Sequence, residues 1–185
     1  IDLMSIMNVH SMRNWMHATN LLTKDLKPRE KKVNQQKKWI SKLTAKGITK
    51  IVGMSHYWFW PEKYGVTDRS AAPYRDRTEG SEYCEWIALY EETWYALASA
   101  FPEIKYWEVG NEFNSDAFLH PKNFYADGKK FTLDEKAAIV TEMCFAASAG
   151  IHRANPDAVV IFPGLAPEGG FTIMRKFLRR VYQNI

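Results

Sequence analysis

Short apolar runs alternate with longer amphipathic segments along the whole chain. The short runs are rich in β-branched, aliphatic or aromatic residues and lie at residues 1–9, 48–54, 104–110 and 158–162. Runs of this length and composition predict buried strands. In the longer segments, apolar residues recur at helical spacing, and these segments begin near residues 28, 81, 132 and 171. Four strands that alternate with four helices predict a parallel sheet with helical crossovers.

The boundaries of the predicted helices carry sequence signals of their own. Pro28 falls in the predicted first turn of the first helix, where a missing backbone N–H is tolerated, and Gly47 follows that helix. Thr132 and Glu135 have the spacing of a capping box at the start of the third helix. Residues 10–15, which follow the first apolar run, are predicted to form a polar loop.

Polar or aromatic residues follow each predicted strand, at residues 10–15, 55–60, 111–114 and 164–168. Functional groups after successive strands are typical of the rim of a (β/α) barrel. The Gly-rich turn of a doubly wound nucleotide-binding sheet does not occur in the sequence. A complete barrel has eight units in about 250 residues. The 185 residues therefore predict an α/β fold with about half of a (β/α)8 TIM barrel, as one partial catalytic domain over residues 1–185.

Composition and charge exclude several other classes of protein. The two cysteines and five histidines have neither metal-ligand spacing nor the pattern of a disulfide framework, so no metal and no other cofactor is expected. No apolar run approaches the ~18 residues of a membrane span. Much of the net charge of +4 comes from residues 24–38, a basic run that Asp25 and Glu30 interrupt. A solvated helix face is the favoured interpretation of this run, and a nucleic-acid patch is the alternative.

The strongest chemical signal is the pair Asn111 and Glu112, which follows the strand predicted at 104–110. A carboxylate at the end of a barrel strand predicts a catalytic group. A single Glu beside a hydrogen-bonding Asn suits a general acid/base that acts on a sugar bond. The alternative for Glu112 is a structural carboxylate that caps a loop or pairs with an arginine. Strand alternation places Glu108 on the same face but deeper, where it is expected to satisfy a buried arginine or the backbone.

Four further residues are candidates for substrate binding. His56, Trp58 and Trp60 follow the strand predicted at 48–54. For His56 the alternative is an ordinary core or loop histidine. One of the two tryptophans is expected to stack on a sugar ring, and the alternative is packing between the loop and the barrel. Arg13 is a candidate for binding a sugar hydroxyl or a carboxylate, with a structural salt bridge as the alternative.

The residues around Glu112 also carry a likeness to a known group of enzymes. The sequence Trp-Glu-Val-Gly-Asn-Glu at residues 107–112 resembles the strand-four signature of clan A glycoside hydrolases, and most nearly that of glycoside hydrolase family 39. Residues 46–61 and 151–167 are similar to the third and fifth strands of such barrels with their flanks. The resemblance implies approximately strands two to five of the barrel. It also implies a retaining β-glycosidase without a cofactor, with Glu112 as acid/base and Asn111 as the ligand of the sugar 2-hydroxyl.

The same resemblance implies that half of the catalytic machinery lies elsewhere. In the family the nucleophile is a second Glu on strand seven, which residues 1–185 do not reach. The chain begins within an apparent element, so further sequence upstream is expected. We expect a carbohydrate substrate, and neither nucleic acid nor a membrane as partner. A half-barrel exposes sheet edges and an apolar face, so the remainder of the barrel or a partner chain is expected to complete it.

Two interpretations of function compete with a glycosidase. The chain is alternatively a non-hydrolytic carbohydrate-binding relative, or an inactive fragment that keeps the aromatic cleft. A nucleic-acid-binding protein that uses residues 24–38 is a third, less favoured interpretation. The sequence leaves the compartment open, with a secreted or extracytoplasmic location favoured.

Overall fold

Four parallel strands form the main sheet of the protein. The computed structural model describes residues 4, 7, 9–56 and 58–185. The strands of this part of the chain are β1 (Ser11–Trp15), β2 (Lys50–Ser55), β3 (Ala71–Ala72), β4 (Tyr106–Val109), β5 (His120–Pro121) and β6 (Val159–Ile161). The sheet has the order β1-β2-β4-β6, and all its pairs are parallel. The predicted α/β fold with a parallel sheet is therefore confirmed.

Helices connect the successive strands of this sheet. They are α1 (Ala18–Leu21), α2 (Glu30–Thr44), α3 (Glu82–Ala100), α4 (Phe124–Asp127), α5 (Leu133–Ala154) and α6 (Gly170–Gln183), with a 3-10 turn at Glu62–Tyr64. The predicted capping box is confirmed, because the Thr132 side chain accepts from the Glu135 amide while the Glu135 side chain accepts from the Thr132 amide. Pro28 lies just before the N-cap residue Arg29 and not inside the first turn.

The first strand differs from its prediction. Residues 10–15 were expected to form a polar loop, whereas Ser11–Trp15 is strand β1 and pairs with β2. The strand expected at residues 1–9 lies largely outside the described residues. The physical reason for the error is that Arg13 and Asn14, in the middle of β1, are polar. A barrel strand that contributes side chains to a site lacks the apolar signature of an ordinary buried strand.

The core lies between the outer face of the sheet and the long helices. Trp107 of β4 is fully buried, and its ring contacts Trp94 of α3 at a centroid distance of 5.9 Å. Strand β2 has no room for a side chain beside this ring, because a Cβ atom on Gly53 would lie 2.6 Å from Trp107. Helices α3 and α5 are also in close contact. A Cβ atom on Gly150 of α5 would lie 2.3 Å from the carbonyl oxygen of Glu91 in α3, so a glycine is needed at this point.

The opposite face of the sheet, which corresponds to the inside of a barrel, carries the polar site. At one level the register places Trp15 opposite Met54, Met54 opposite Glu108, and Glu108 opposite Ile161. Because side chains alternate between the two faces of a strand, these four residues share the face that the helices do not cover. Arg13, two residues before Trp15, lies on the same face.

The two edges of the main sheet are open in the described part of the chain. Strands β1 and β6 each have one neighbour in the sheet. Near the β6 edge, large apolar side chains are exposed, among them Phe145, Val159, Phe171 and Tyr182. No helix of the described residues has both the length and the apolar character that crossing a membrane requires.

Candidate active site

A sharp change of backbone direction at the end of β4 sets the position of Glu112. Gly110 has φ of 109°, and a Cβ atom there would lie 2.0 Å from the Phe113 ring, so only glycine fits. The Phe113 ring is fully buried and contacts Trp58 at 5.7 Å. Between these two fixed points, Glu112 has φ of 51°, in the left-handed region that residues with a side chain rarely adopt.

Two backbone hydrogen bonds hold Glu112 in place. Its amide donates to the carbonyl oxygen of Gly164 at 2.8 Å, and its carbonyl oxygen accepts from the Ser115 amide at 2.8 Å. The residue is half-buried. Within the described ranges, no hydrogen bond or ion pair to its carboxylate is found. An unusual backbone conformation that presents a carboxylate without a structural partner is typical of functional sites.

Glu108, Arg13 and Asn111 form a compact polar network beside Glu112. The Arg13 guanidinium donates twice to the Glu108 carboxylate, with Nε–Oε2 at 2.5 Å and Nη2–Oε1 at 2.8 Å. The amide of Gly164 donates to the same carboxylate at 3.0 Å. Glu108 is only 7% exposed, so this satisfaction by an arginine and a backbone amide agrees with the role expected from its depth in the strand. A carboxylate occupied in this way is poorly suited to attack or protonate a substrate.

The network also fixes the orientation of the Asn111 side chain. Arg13 Nη2 donates to Asn111 Oδ1 at 2.8 Å. Because the guanidinium has no acceptor, the atom it contacts must be the amide oxygen. The Asn111 Nδ2 group is therefore left as the donor end of this side chain. The Arg13 side chain keeps 39% of its surface exposed, so it remains accessible beside the amide.

His56 lies under a cover of aromatic rings at the same rim. It is 4% exposed and contacts Trp15 at 5.3 Å, His17 at 4.9 Å and Phe118 at 5.3 Å. Burial lowers the pKa of His56 to about 4, and the nearby His17 and Arg13 act in the same direction. The pKa of His17 is also lowered, mainly by burial and secondarily by Arg69. At neutral pH this rim therefore carries neutral imidazoles beside the Arg13 cation.

The two tryptophans predicted as sugar platforms occupy different environments. Trp58 is 2% exposed and packs edge-on against Trp86, Tyr90 and Phe113. This placement favours the packing interpretation for Trp58. Trp60 is half-buried, and its indole N–H donates to the carbonyl oxygen of Ala71 at 3.0 Å.

The segment at residues 62–80 contains one strand of a small second sheet. Strand β3 within it pairs with β5 of the loop that follows β4. His120 of β5 is buried, and its Nε2 atom lies 3.3 Å from an Asp68 oxygen. These contacts join the loops after β2 and β4 into one wall above the sheet.

Sequence reasoning missed several residues of this rim. Trp15 is 48% exposed, and the Arg13 guanidinium lies over its ring at 5.3 Å from the centroid. It was overlooked because β1 was predicted as a loop. Asn114 was overlooked because its importance depends on Ala166, which is 52 residues away in the chain. For Asn114 the sequence offered one signal, its position two residues after the Asn-Glu pair.

Other possible sites are less developed. In the part of the chain that the structure describes, no group of three or more His, Cys, Asp and Glu residues could hold a metal ion. The basic run at 24–38 lies mainly on the exposed face of α2 and the segment before it, with Val33 as its buried residue. The basic run therefore has the arrangement of a solvated helix face, which is the interpretation that the sequence favoured.

Comparisons with solved structures give the relatives of this fold. The chain is similar to a GH5-4 broad-specificity endoglucanase from Clostridium longisporum, with a TM-score of 0.62 and 16% identity over 94% of this chain and 46% of that one. It is similar to a β-glucosidase from Thermotoga maritima, solved in complex with deoxynojirimycin, with a TM-score of 0.59 and 18% identity over 87% and 35% of the two chains. It is also similar to the virulence factor SghA from Agrobacterium tumefaciens, with a TM-score of 0.58 and 15% identity over 99% and 40%.

Comparison at the level of sequence adds no closer relative. No protein-family model matches the chain, and no curated protein matches it. The chain spans less than half the length of each of the three solved structures above. The shared fold agrees with the barrel that the resemblance implies and does not single out family 39. The protein is therefore an α/β chain with about half of the TIM barrel that the endoglucanase and the β-glucosidase have.

Proposed function

We propose that this chain is the part of a retaining β-glycosidase, most similar to glycoside hydrolase family 39, that carries the acid/base. The proposed substrate is an oligo- or polysaccharide, and the bond that breaks is an O-glycosidic bond. The nucleophile lies outside residues 1–185 in this proposal, on the remainder of the barrel or on a partner chain. Two carboxyl groups roughly 5–5.5 Å apart are needed for a retaining mechanism, so the complete site requires that second carboxylate.

One observation carries the proposal. Glu112 follows the end of a barrel strand, in a left-handed backbone conformation and with no structural partner for its carboxylate among the described residues. The C-terminal ends of the strands are where TIM-barrel enzymes have their active sites. The endoglucanase and the β-glucosidase that share this fold are glycosidases, which independently supports the proposal.

In the proposed mechanism Glu112 acts twice. It first donates its proton to the glycosidic oxygen while the nucleophile attacks the anomeric carbon, and the leaving group departs as an alcohol. As a carboxylate it then accepts a proton from water, and the oxygen of that water attacks the anomeric carbon, whose bond to the nucleophile breaks and releases the nucleophile as a carboxylate. The sugar leaves with its original anomeric configuration, and Glu112 is again protonated. No redox step and no cofactor enters this scheme.

The network beside Glu112 supplies binding groups for the sugar. Because Arg13 occupies the Asn111 oxygen, the Nδ2 group of Asn111 is available to donate to a sugar oxygen, for which the 2-hydroxyl is the expected partner. Glu108 stabilises the charge of Arg13 and keeps the guanidinium in the plane that reaches Asn111. Arg13, whose side chain is 39% exposed, is proposed as a further substrate contact at this rim, whereas the ring of His56 is buried against that of Trp15 and is proposed to support the site from beneath the surface.

The test is hydrolysis of a panel of aryl β-glycosides by the full-length gene product, with Glu112→Gln beside the wild type. We expect kcat to fall by about 10²–10⁴-fold on substrates whose leaving group needs protonation. On a dinitrophenyl glycoside, whose leaving group departs without protonation, formation of the glycosyl enzyme should be nearly normal. Glu168→Gln is the matched control, because Glu168 is an exposed carboxylate of the same rim that accepts from Ser115 Oγ at 2.8 Å.

Two results would overturn the proposal. One is an equal loss of activity on all leaving groups in Glu112→Gln, which would point to a structural role for this carboxylate. The other is a folded, full-length protein that binds β-linked oligosaccharides and hydrolyses none of the panel. That second result would establish the alternative, a non-hydrolytic carbohydrate-binding relative.

A further inference from the structure

One side chain of the loop that contains Glu112 makes two hydrogen bonds to the loop after β6. Asn114 Nδ2 donates to the carbonyl oxygen of Ala166 at 2.8 Å, and the Ala166 amide donates to Asn114 Oδ1 at 2.8 Å. A primary amide has the same donor and acceptor pair as a peptide group. The Asn114 side chain therefore makes the two hydrogen bonds that a neighbouring strand would make.

This pair continues the ladder between β4 and β6 past the ends of both strands. The last paired residues of the ladder are Glu108 and Ile161. Beyond them, the Glu112 amide donates to the Gly164 carbonyl, and Asn114 then pairs with Ala166. Beyond the ladder, the two residues contacted on the β6 side, Gly164 and Ala166, are two positions apart, as they would be along a strand.

The left-handed backbone of Glu112 depends on the contacts that hold the residues around it. A left-handed backbone costs a residue with a side chain about 1–2 kcal/mol, and such a conformation persists only where the surrounding structure determines it. The packing of Gly110 against the Phe113 ring fixes the backbone on both sides of Glu112. The Asn114–Ala166 pair adds two hydrogen bonds to the Glu112–Gly164 and Ser115–Glu168 hydrogen bonds, which also join this loop to the loop after β6.

The loop is also supported from behind by α5. The buried Lys136 ammonium lies 2.6 Å from Asp116 Oδ1 and 3.4 Å from the carbonyl oxygen of Asn114. The two ends of the Asn114 residue are thus held independently, the side chain by the loop after β6 and the carbonyl by α5. The Glu112 carboxylate, in contrast, has no hydrogen-bond or ion-pair partner among the described residues.

We propose that Asn114 is a positioning residue for the acid/base Glu112, which it holds at the correct distance from the glycosidic oxygen by clamping the two loops together. This inference rests on the proposed glycosidase function. Asn114 does not touch the substrate in this scheme. Its removal lets the loop after β4 move away from Ala166, so the Glu112 carboxyl group is displaced while its chemistry is unchanged.

A positioning role and a purely structural role differ in their dependence on the leaving group. A displaced general acid slows only those reactions in which the leaving oxygen must be protonated. A general loss of folded protein, or of substrate affinity, lowers the rates of all substrates by the same factor. The leaving-group dependence of kcat/KM therefore reports on the position of Glu112 and not on stability.

The experiment compares Asn114→Ala and Asn114→Asp with wild type on aryl β-glycosides whose leaving groups range from dinitrophenol to unsubstituted phenol. The aspartate has the shape of the asparagine but loses the donor to Ala166, so it serves if the alanine variant does not fold. Each protein is assayed at its own pH optimum, so that the new charge does not confuse the comparison. Asn155→Ala is the matched control, because Asn155 Oδ1 accepts a backbone amide at the far end of α5.

We expect kcat/KM for the phenyl glycoside to fall by roughly 10–100-fold in both Asn114 variants, because displacement of a catalytic group by about 1 Å costs up to 10²-fold. The dinitrophenyl glycoside should stay within about twofold of wild type, and Asn155→Ala should match wild type on both substrates. Folded Asn114 variants that lose nothing, or lose equally on all leaving groups, would overturn the inference. If Glu112→Gln itself shows no leaving-group dependence, the proposed function fails and not merely the role of Asn114.

Discussion

The buried His56 gives a quantitative prediction about stability and pH. Its ring is 4% exposed, and burial, with His17 and Arg13, lowers its pKa from the usual 6.5 to about 4. The folded protein therefore binds a proton at His56 less readily than the unfolded chain does. Stability that this histidine contributes is complete above pH 6.5 and is lost as the pH falls towards 4.

The size of the effect follows from the two pKa values. One pKa unit corresponds to about 1.4 kcal/mol. For values of 6.5 and about 4, the free energy of unfolding should fall by about 2 kcal/mol between pH 7.5 and pH 5. The loss should reach about 3 kcal/mol at pH 4. Such a loss is a large fraction of the 5–15 kcal/mol that stabilises a typical domain.

The assay is urea unfolding at half-unit steps between pH 4 and pH 7.5, for the wild type and for His56→Gln. Carboxylates also titrate in this range, so the informative quantity is the difference between the two proteins at each pH. Glutamine carries no charge at any pH and keeps polar atoms at the site. We expect the wild type to lose about 2 kcal/mol more than His56→Gln between pH 7.5 and pH 5.

A constant offset between the two curves would only reflect contacts that the substitution removes. Parallel curves over the whole range would refute the reasoning, because they would mean that His56 has the same pKa in the folded and unfolded chains. A difference that grows towards high pH would refute it as well, since it would require a raised pKa. Only a difference that opens as the pH falls below 6.5 agrees with a histidine that is buried in its neutral form.

Two further predictions concern the loop that follows β4. Replacement of Glu112 by glycine removes the cost of its left-handed backbone, about 1–2 kcal/mol, against roughly 0.4–1 kcal/mol for the greater freedom of glycine in the unfolded chain. Glu112→Gly should therefore unfold at a higher urea concentration and lose its proposed activity, and a lower midpoint would contradict the argument. The ion pair of Lys136 with Asp116 should respond unequally to loss of either partner. Lys136 is 4% exposed, whereas Asp116 retains a second cation, Lys130, at 2.8 Å. Asp116→Asn leaves a buried ammonium without its counterion and should lower the free energy of unfolding by about 3 kcal/mol. Lys136→Met should lower it by about 1 kcal/mol or less. Thermal unfolding of the two variants measures which loss is larger, and a larger loss for Lys136→Met would disprove the argument.

The sequence by itself determined the architecture of the protein. The apolar runs that became β2, β4 and β6 and the helical patterns between them were enough to predict a parallel α/β sheet, because burial on both faces of a strand requires such runs. The capping box at Thr132 was also decided locally, since both its hydrogen bonds join residues three positions apart. The depth of Glu108 followed from simple strand alternation.

The sequence failed where function or long-range contacts override the local pattern. Strand β1 was predicted as a loop because its central residues, Arg13 and Asn14, are polar. Arg13 is stabilised in a strand by Glu108, which is 95 residues further along the chain. A local pattern has no information about a partner at that distance, so the signal of the strand was lost at the very point where the site is built.

Only the tertiary structure decided which rim residues act together. It separated Trp58, which is buried in the aromatic core, from Trp15, which is exposed beside Arg13. Both are tryptophans near the end of a strand, and composition does not distinguish them. It also revealed the Asn114–Ala166 pair, which joins two loops that are 52 residues apart. The physical reason is that the sheet sets the meeting point of loops, and hydrogen bonds between loops depend on geometry that no short stretch of sequence contains.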